Sequence, residues 1–182
     1  MLQVKYIIVH HTGAEEKNAE QVRQYHLSLG WRDVGYHYLV ERDGQVVAGR
    51  PVTMRGAHCR AAGMNGRSLG VAVIGNLEER ESYPAQETAL THLLTKLTRQ
   101  YGIKPERVLG HNEVTGAVTA CPGRWLNMDE LRRRLAMAAG QEEQKRYRLW
   151  RVQVGAFRER RNAERLAAKL REYGLEVWVT SD

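Results

Sequence analysis

The run Tyr6-Ile7-Ile8-Val9-His10-His11-Thr12 constrains this chain more than any other stretch. Its apolar, β-branched centre reads as a buried strand, closed by two imidazoles and then Gly13. A strand fixes its last side chains more rigidly than a loop can, and metal ligands need that rigidity. A second segment of this kind, Gly110-His111-Asn112-Glu113-Val114, lies far along the chain and is followed by Thr119-Ala120-Cys121-Pro122. Two histidines and a thiol, each near the end of an ordered element, suit a zinc ion that keeps one position open. Strand alternation turns His11 to the opposite sheet face from His10, so one of the pair is expected to be a supporting residue.

The rest of the first 139 residues reads as strands and helices in mixed order. Asn18 is placed to cap a helix running to about Leu29, with Val22, Tyr25, His26 and Leu29 on one face. Val34–Val40 is a second strand, turned at Asp43-Gly44 into Val46-Val47-Ala48. Residues 49–67 carry four glycines and read as a long loop of the kind that often holds function. Ser68–Ile74 is nearly all apolar, hence a central strand. Pro84 opens a helix to Tyr101 with Leu90, Leu93, Leu94 and Leu97 inward and Gly102 as its stop. A short strand follows at 107–109, and Asn127 to Glu130 is a capping signature for a last helix to about Ala138.

From Gly140 to Arg148 the composition turns to Gln, Glu, Lys and Arg, which reads as a linker. Beyond it Trp150–Gly155 and Leu175–Val179 alternate as strands around an amphipathic helix, Asn162–Tyr173, that turns Ala163, Leu166, Ala167 and Leu170 inward. The domains expected are 1–139, a linker at 140–148, and 149–182. A chain of 182 residues, 27% charged and 42% hydrophobic, is soluble and globular, with room for one full core and a small second unit. Its net charge of +7 points to an acidic partner: nucleic acid, anionic lipid or a bacterial cell wall. Two cysteines do not make a disulfide scaffold. The N-terminal stretch lacks a basic segment followed by a long apolar one, so the expected place of synthesis is the cytoplasm, without a signal peptide.

Four motifs, VHHTG, GWRDVGYHYLVERDG, GAHCRAAGMNGRSLGVAVIGN and GHNEVTGAVTACPG, follow one another in the order and spacing of a known family. Over roughly residues 4–138 the chain resembles the zinc-dependent N-acetylmuramoyl-L-alanine amidases of the amidase-2 type, relatives of phage lysozyme-type amidases and peptidoglycan recognition proteins. The resemblance implies an α/β fold with a mixed central sheet flanked by helices. It implies one zinc ion on His10, His111 and Cys121, and it makes Tyr36 the donor to a developing oxyanion. The family's other catalytic position, a lysine in phage enzymes, is Thr119 here; its hydroxyl brings no charge, and a lower rate is expected. His37, and His58 and Asn65 on the glycine-rich loop, are the implied muropeptide contacts. Some relatives carry a glutamate on the central strand where this chain has Ala72, so no strand carboxylate serves as general base. His26 is expected in the core, His92 in solvent, Cys59 as a small buried side chain. Glu113 is either a hydrogen-bond acceptor that orients a ligand or a helix-start carboxylate.

The tail, WRVQVGAFRERRNAERLAAKLREYGLEVWV, resembles the first half of a SPOR domain, a family that binds glycan strands stripped of stem peptides. The implied shape is a small βαβ half of a ferredoxin-like unit whose missing third strand leaves a slot between the first two. A homodimer in which each copy fills the other's slot is the expectation; docking on the first domain is the rival. The leading functional reading is cleavage of the amide between N-acetylmuramic acid and L-alanine in peptidoglycan. A phage or prophage endolysin reconciles a wall substrate with a missing signal peptide. The alternatives are a cytoplasmic muropeptide-recycling amidase and a non-catalytic muropeptide-recognition protein, against which Cys121 speaks. Nucleic-acid binding is disfavoured because no tail strand clusters aromatic residues for stacking, and membrane insertion because no apolar run would span a bilayer.

Overall fold

The computed structural model describes residues 4–146 and 152–180. Five strands form one mixed sheet: β1 (Tyr6–His11), β2 (Tyr38–Val40), β3 (Val46–Ala48), β4 (Ser68–Val73) and β5 (Val108–Gly110), in the order β3-β2-β4-β1-β5. β1 lies parallel between β4 and β5, β2 runs parallel to β4, and the turn at Asp43-Gly44 makes β2 and β3 antiparallel. The expected α/β architecture is the one observed. The second strand is shorter than its sequence signal, yet residues just before it stay tied to their neighbours: His37 donates to the Gly70 carbonyl, and the Tyr36 and His37 carbonyls accept from the Arg50 and Gly49 N–H groups.

Alternation along β1 and β4 sorts the two faces. Ile7, Val9, Leu69, Val71 and Val73 point to one side, where α2 (Pro84–Tyr101) and α3 (Met128–Arg146) cover them with Leu90, Leu94, Leu97, Leu131 and Leu135. Each such leucine, once fully buried, contributes about 1.5–3 kcal/mol. Gln86 is buried at the start of α2 and donates to the Val40 and Ile74 carbonyls, tying the helix to the ends of two strands. The other face carries Ile8 and His10, level with Gly70 and Ala72 of β4. These small neighbours keep that face open at its C-terminal end. α1 (Ala19–Ser28) and the loop at 49–67 close the remainder, packing Val22 against Leu39 and Ile74, and Cys59 and Met64 against Ile8.

Asn18 caps α1 as expected, its side chain accepting from the Gln21 N–H. Only Ala19, Val22 and His26 are buried on that helix, whereas Tyr25 and Leu29 are half exposed. α3 runs to Arg146, past its expected end at Ala138. Gln, Glu, Lys and Arg are good helix formers, and the cost of Gly140, about 1 kcal/mol, is absorbed by a helix already nucleated. Residues 140–146 of the expected linker are therefore helical.

Lys145–Asp182 forms a separate unit. Its helix α4 (Arg160–Glu172) buries Ala167, with Ala163, Leu166 and Leu170 half-buried, as the amphipathic pattern requires. Among the described residues, 152–157 and 175–180 carry no strand; Trp150 and Arg151 of the first expected strand lie outside them. A strand needs a neighbour for its backbone groups, and none is paired with these segments among the described residues. Val152, Val154, Leu175 and Trp178 stay exposed.

Candidate metal centre

β1 ends with His10 buried on the open face, and β5 delivers His111 to the same edge at the start of a short 3-10 turn, His111–Glu113. Cys121 comes from the following loop, clipped to that turn by the Asn112 N–H donating to the Cys121 carbonyl at 2.8 Å. The candidate ligand atoms of His10, His111 and Cys121 all lie within 4.8 Å of one another. Cys121 Sγ is 3.5 Å from His10 Nδ1. Burial lowers the pKa of both histidines, reinforced at His10 by His58 and His111, so both imidazoles are neutral near pH 7. Burial also pushes the Cys121 thiol up to about 12, against a hydrogen bond to the His11 carbonyl that lowers it. Two neutral imidazoles and one thiol, converging with no carboxylate among them, fit a tetrahedral ion that retains an open position.

Tyr36 lies beside this cluster, its ring centroid 5.2 Å from that of His10. Burial, then Cys121 and Glu16, raise its pKa, so the phenol keeps its proton and remains a donor. Thr119 is exposed, and its hydroxyl accepts from the Cys121 N–H at 3.1 Å, shaping the ligand loop while its own proton stays available. His11 faces the other way, as alternation requires, and its Nδ1 accepts from the Leu77 N–H. Ala72 sits level with His10 on the open face, so no strand carboxylate approaches the cluster from β4.

A groove of about 690 Å³ meets the cluster at His111 and is walled further by Trp31, Arg32, Arg50, His58 and Asn65. That volume falls in the range of sites for small molecules of several rings or residues. His37 does not line this groove. It is buried, its Nδ1 accepts from the Gly70 N–H and its Nε2 donates to the Met54 carbonyl, so no ring nitrogen is left for a ligand. Asn65 reaches the groove, but its Oδ1 accepts from the N–H groups of both His58 and Cys59 and so shapes the loop. Cys59 is buried and His92 exposed, as expected. His26 is also buried; it accepts from the Gly35 N–H and stacks on Trp31 at 4.5 Å, so this core residue supports the groove wall. Trp31 and Arg50 escaped the sequence reading. Arg50 donates to the carbonyls of Asp33, Val34 and Arg55, a fastening of loops that no local pattern announces.

Glu113 proves to be a helix-start carboxylate. It accepts from the Gly110 N–H at 2.7 Å and pairs with both terminal nitrogens of Arg132, which fixes the turn that carries His111. Arg132 and the Gly110 N–H hold its carboxyl below the ordinary value of 4.5 against the opposing effect of burial. A depressed folded pKa adds stability that is present above the unfolded value and lost as pH falls through the folded one. Glu113→Gln is therefore expected to cost about 1 kcal/mol in urea unfolding at pH 7, with the difference from wild type closing as pH falls below the ordinary carboxylate range. An unchanged midpoint at pH 7 would remove this pair from the account.

Residues 1–124 match the family model described as N-acetylmuramoyl-L-alanine amidase. The chain belongs to the N-acetylmuramoyl-L-alanine amidase family. Residues 147–182 match the SPOR domain. The endolysin of Escherichia phage T7 is 35% identical over 127 residues, covering 65% of this chain and 80% of that protein. Peptidoglycan-recognition protein SC2 of Drosophila melanogaster is 33% identical over 130 residues, 66% of this chain and 68% of that protein. Among solved structures, the amidase LysC of Clostridium intestinale URNW superposes with a TM-score of 0.67 at 31% identity, over 74% of this chain and 87% of LysC. The protein is thus an endolysin-like amidase that hydrolyses the amide between N-acetylmuramic acid and L-alanine, and peptidoglycan is its partner. No helix among the described residues of this amidase is long and apolar enough to cross a membrane.

Proposed function

We propose that this amidase holds one zinc ion on His10, His111 and Cys121 and cleaves muropeptides laid along the adjoining groove. The observation that carries the reading is the convergence of three ligand atoms within 4.8 Å of one another, one of them from His111, which also lines that groove. Bound there, zinc supplies Lewis acidity to an amide carbonyl and to water. Tyr36, held protonated, donates a hydrogen bond to negative charge developing on the carbonyl oxygen. Thr119 offers a second, uncharged donor. The groove wall orients the glycan and stem peptide, with His58 and Asn65 presenting ring and amide surfaces to them. The excess of basic residues draws the protein to a polyanionic wall, and release at lysis brings a cytoplasmic amidase to it, as the likeness to phage endolysins supports. Incubation with purified walls should release free L-alanine amino groups, and a chelator should stop the release until zinc is restored. Release that persists unchanged in chelator would overturn the zinc assignment.

We also propose that two copies associate through the tail. Support comes from the apolar side chains Val152, Val154, Leu175 and Trp178, exposed on segments without sheet partners. Light scattering is expected to give a dimeric mass that becomes monomeric when residues 149–182 are removed. A monomer at millimolar concentration would exclude this arrangement.

A further inference from the structure

His10 uses its two ring nitrogens in opposite directions. Nδ1 lies 3.5 Å from Cys121 Sγ, and Nε2 lies 3.0 Å from Nδ1 of His58. The His10 and His58 rings meet nearly edge to face, with centroids 5.0 Å apart. An imidazole that offers a lone pair at one nitrogen carries its proton on the other, and which nitrogen does so is decided by the acceptor available. The atom that faces His10 Nε2 is His58 Nδ1.

The surroundings hold the His58 ring in this orientation. A Cβ on Gly70 would come within 2.5 Å of His58 Cγ and Cδ2, and one on Gly56 within 2.5 Å of Cδ2, so two glycines form the slot in which the ring sits. His37 packs on its other side at 5.7 Å between centroids and is itself pinned by Gly70 and Met54. Asn65 Oδ1 fixes the backbone of His58 from beneath. A residue that only touched substrate from a groove wall would need none of this.

We propose that His58 is a positioning residue for the metal centre: it accepts the Nε2–H of His10, fixing the tautomer and ring plane that present Nδ1 to the ion. The inference rests on the zinc reading above. An acceptor of this kind, removed from a ligating histidine, lowers metal affinity by about 10- to 100-fold.

The test is zinc affinity of the full chain, measured by competition with a chromophoric chelator. His58→Phe keeps a ring but no acceptor and should bind zinc about 10- to 100-fold more weakly, whereas His58→Asn, whose Oδ1 takes the place of Nδ1, should stay within about threefold of wild type. The metal-free melting temperature of each variant reports folding separately, and His58→Ala replaces the Phe variant should that one fail to fold. Wild-type affinity in a folded variant without an acceptor would overturn the proposal. So would an Asn variant as weak as the Phe variant, since bulk rather than hydrogen bonding would then be at issue. Failure of the wild type to take up zinc is a distinct result that removes the metal reading first.

Discussion

Cys121→Ser is expected to reduce wall hydrolysis to the level that wild type shows in chelator, with the metal-free fold intact. The sulfur stands 3.5 Å from His10 Nδ1, on a loop held by the Asn112–Cys121 backbone bond that the substitution leaves in place. Serine puts a hydroxyl there, which does not ionise in the range where a thiol does and is a poor zinc donor. The pH dependence of zinc uptake should reveal the same residue. Burial pushes the Cys121 thiol up to about 12 and keeps the imidazoles neutral, so zinc uptake would displace the ligand proton of Cys121. Apparent zinc affinity should then rise by about tenfold per pH unit from pH 7 to 9. A flat profile, or full activity in the serine variant, would remove the thiol from the site.

The second large effect is expected for Tyr36→Phe. The ring packs beside His10 at 5.2 Å, and phenylalanine keeps that contact, so zinc content and melting temperature should not change. What disappears is the hydroxyl proton, which burial holds in place far above neutral pH. Loss of one donor to a developing oxyanion lowers kcat by about 10²- to 10³-fold. KM should change little, since the donor acts most strongly on charge absent from the ground state. A variant with wild-type kcat would place the oxyanion elsewhere, with Thr119 or the main chain as the donor to examine next.

Much of this site was legible because strands state their own geometry. Alternation along Tyr6–His11 separates His10 from His11, and the run from Ser68 to Val73 is too apolar to be anything but central. Order and spacing of four motifs then join His111 and Cys121 to His10, which no local pattern could do. What escaped the sequence depends on contacts between distant segments. His37 reads like a groove residue until Gly70 and Met54 take both of its nitrogens. His58 reads as a substrate contact in the sequence, and only the folded chain shows that the missing side chains of Gly56 and Gly70 also admit its ring beside His10. The polar stretch after Gly140 resembles a linker by composition, yet those same residue types prolong a helix begun upstream. In the tail the alternation is real, but alternation shows only that a segment could pair, never that a partner is present.

The cluster is built on supports of unequal firmness. His10 hangs from the middle strand of the sheet, bonded to β4 on one side and β5 on the other, and can depart only when the whole domain melts. His111 and Cys121 lie beyond the sheet, on a turn braced by the Glu113–Arg132 pair and a loop joined to it by the Asn112–Cys121 backbone bond. Loosening that turn and loop would move two of the three side chains while leaving the third in place, so the integrity of the cluster and the durability of the sheet rest on separate parts of the molecule.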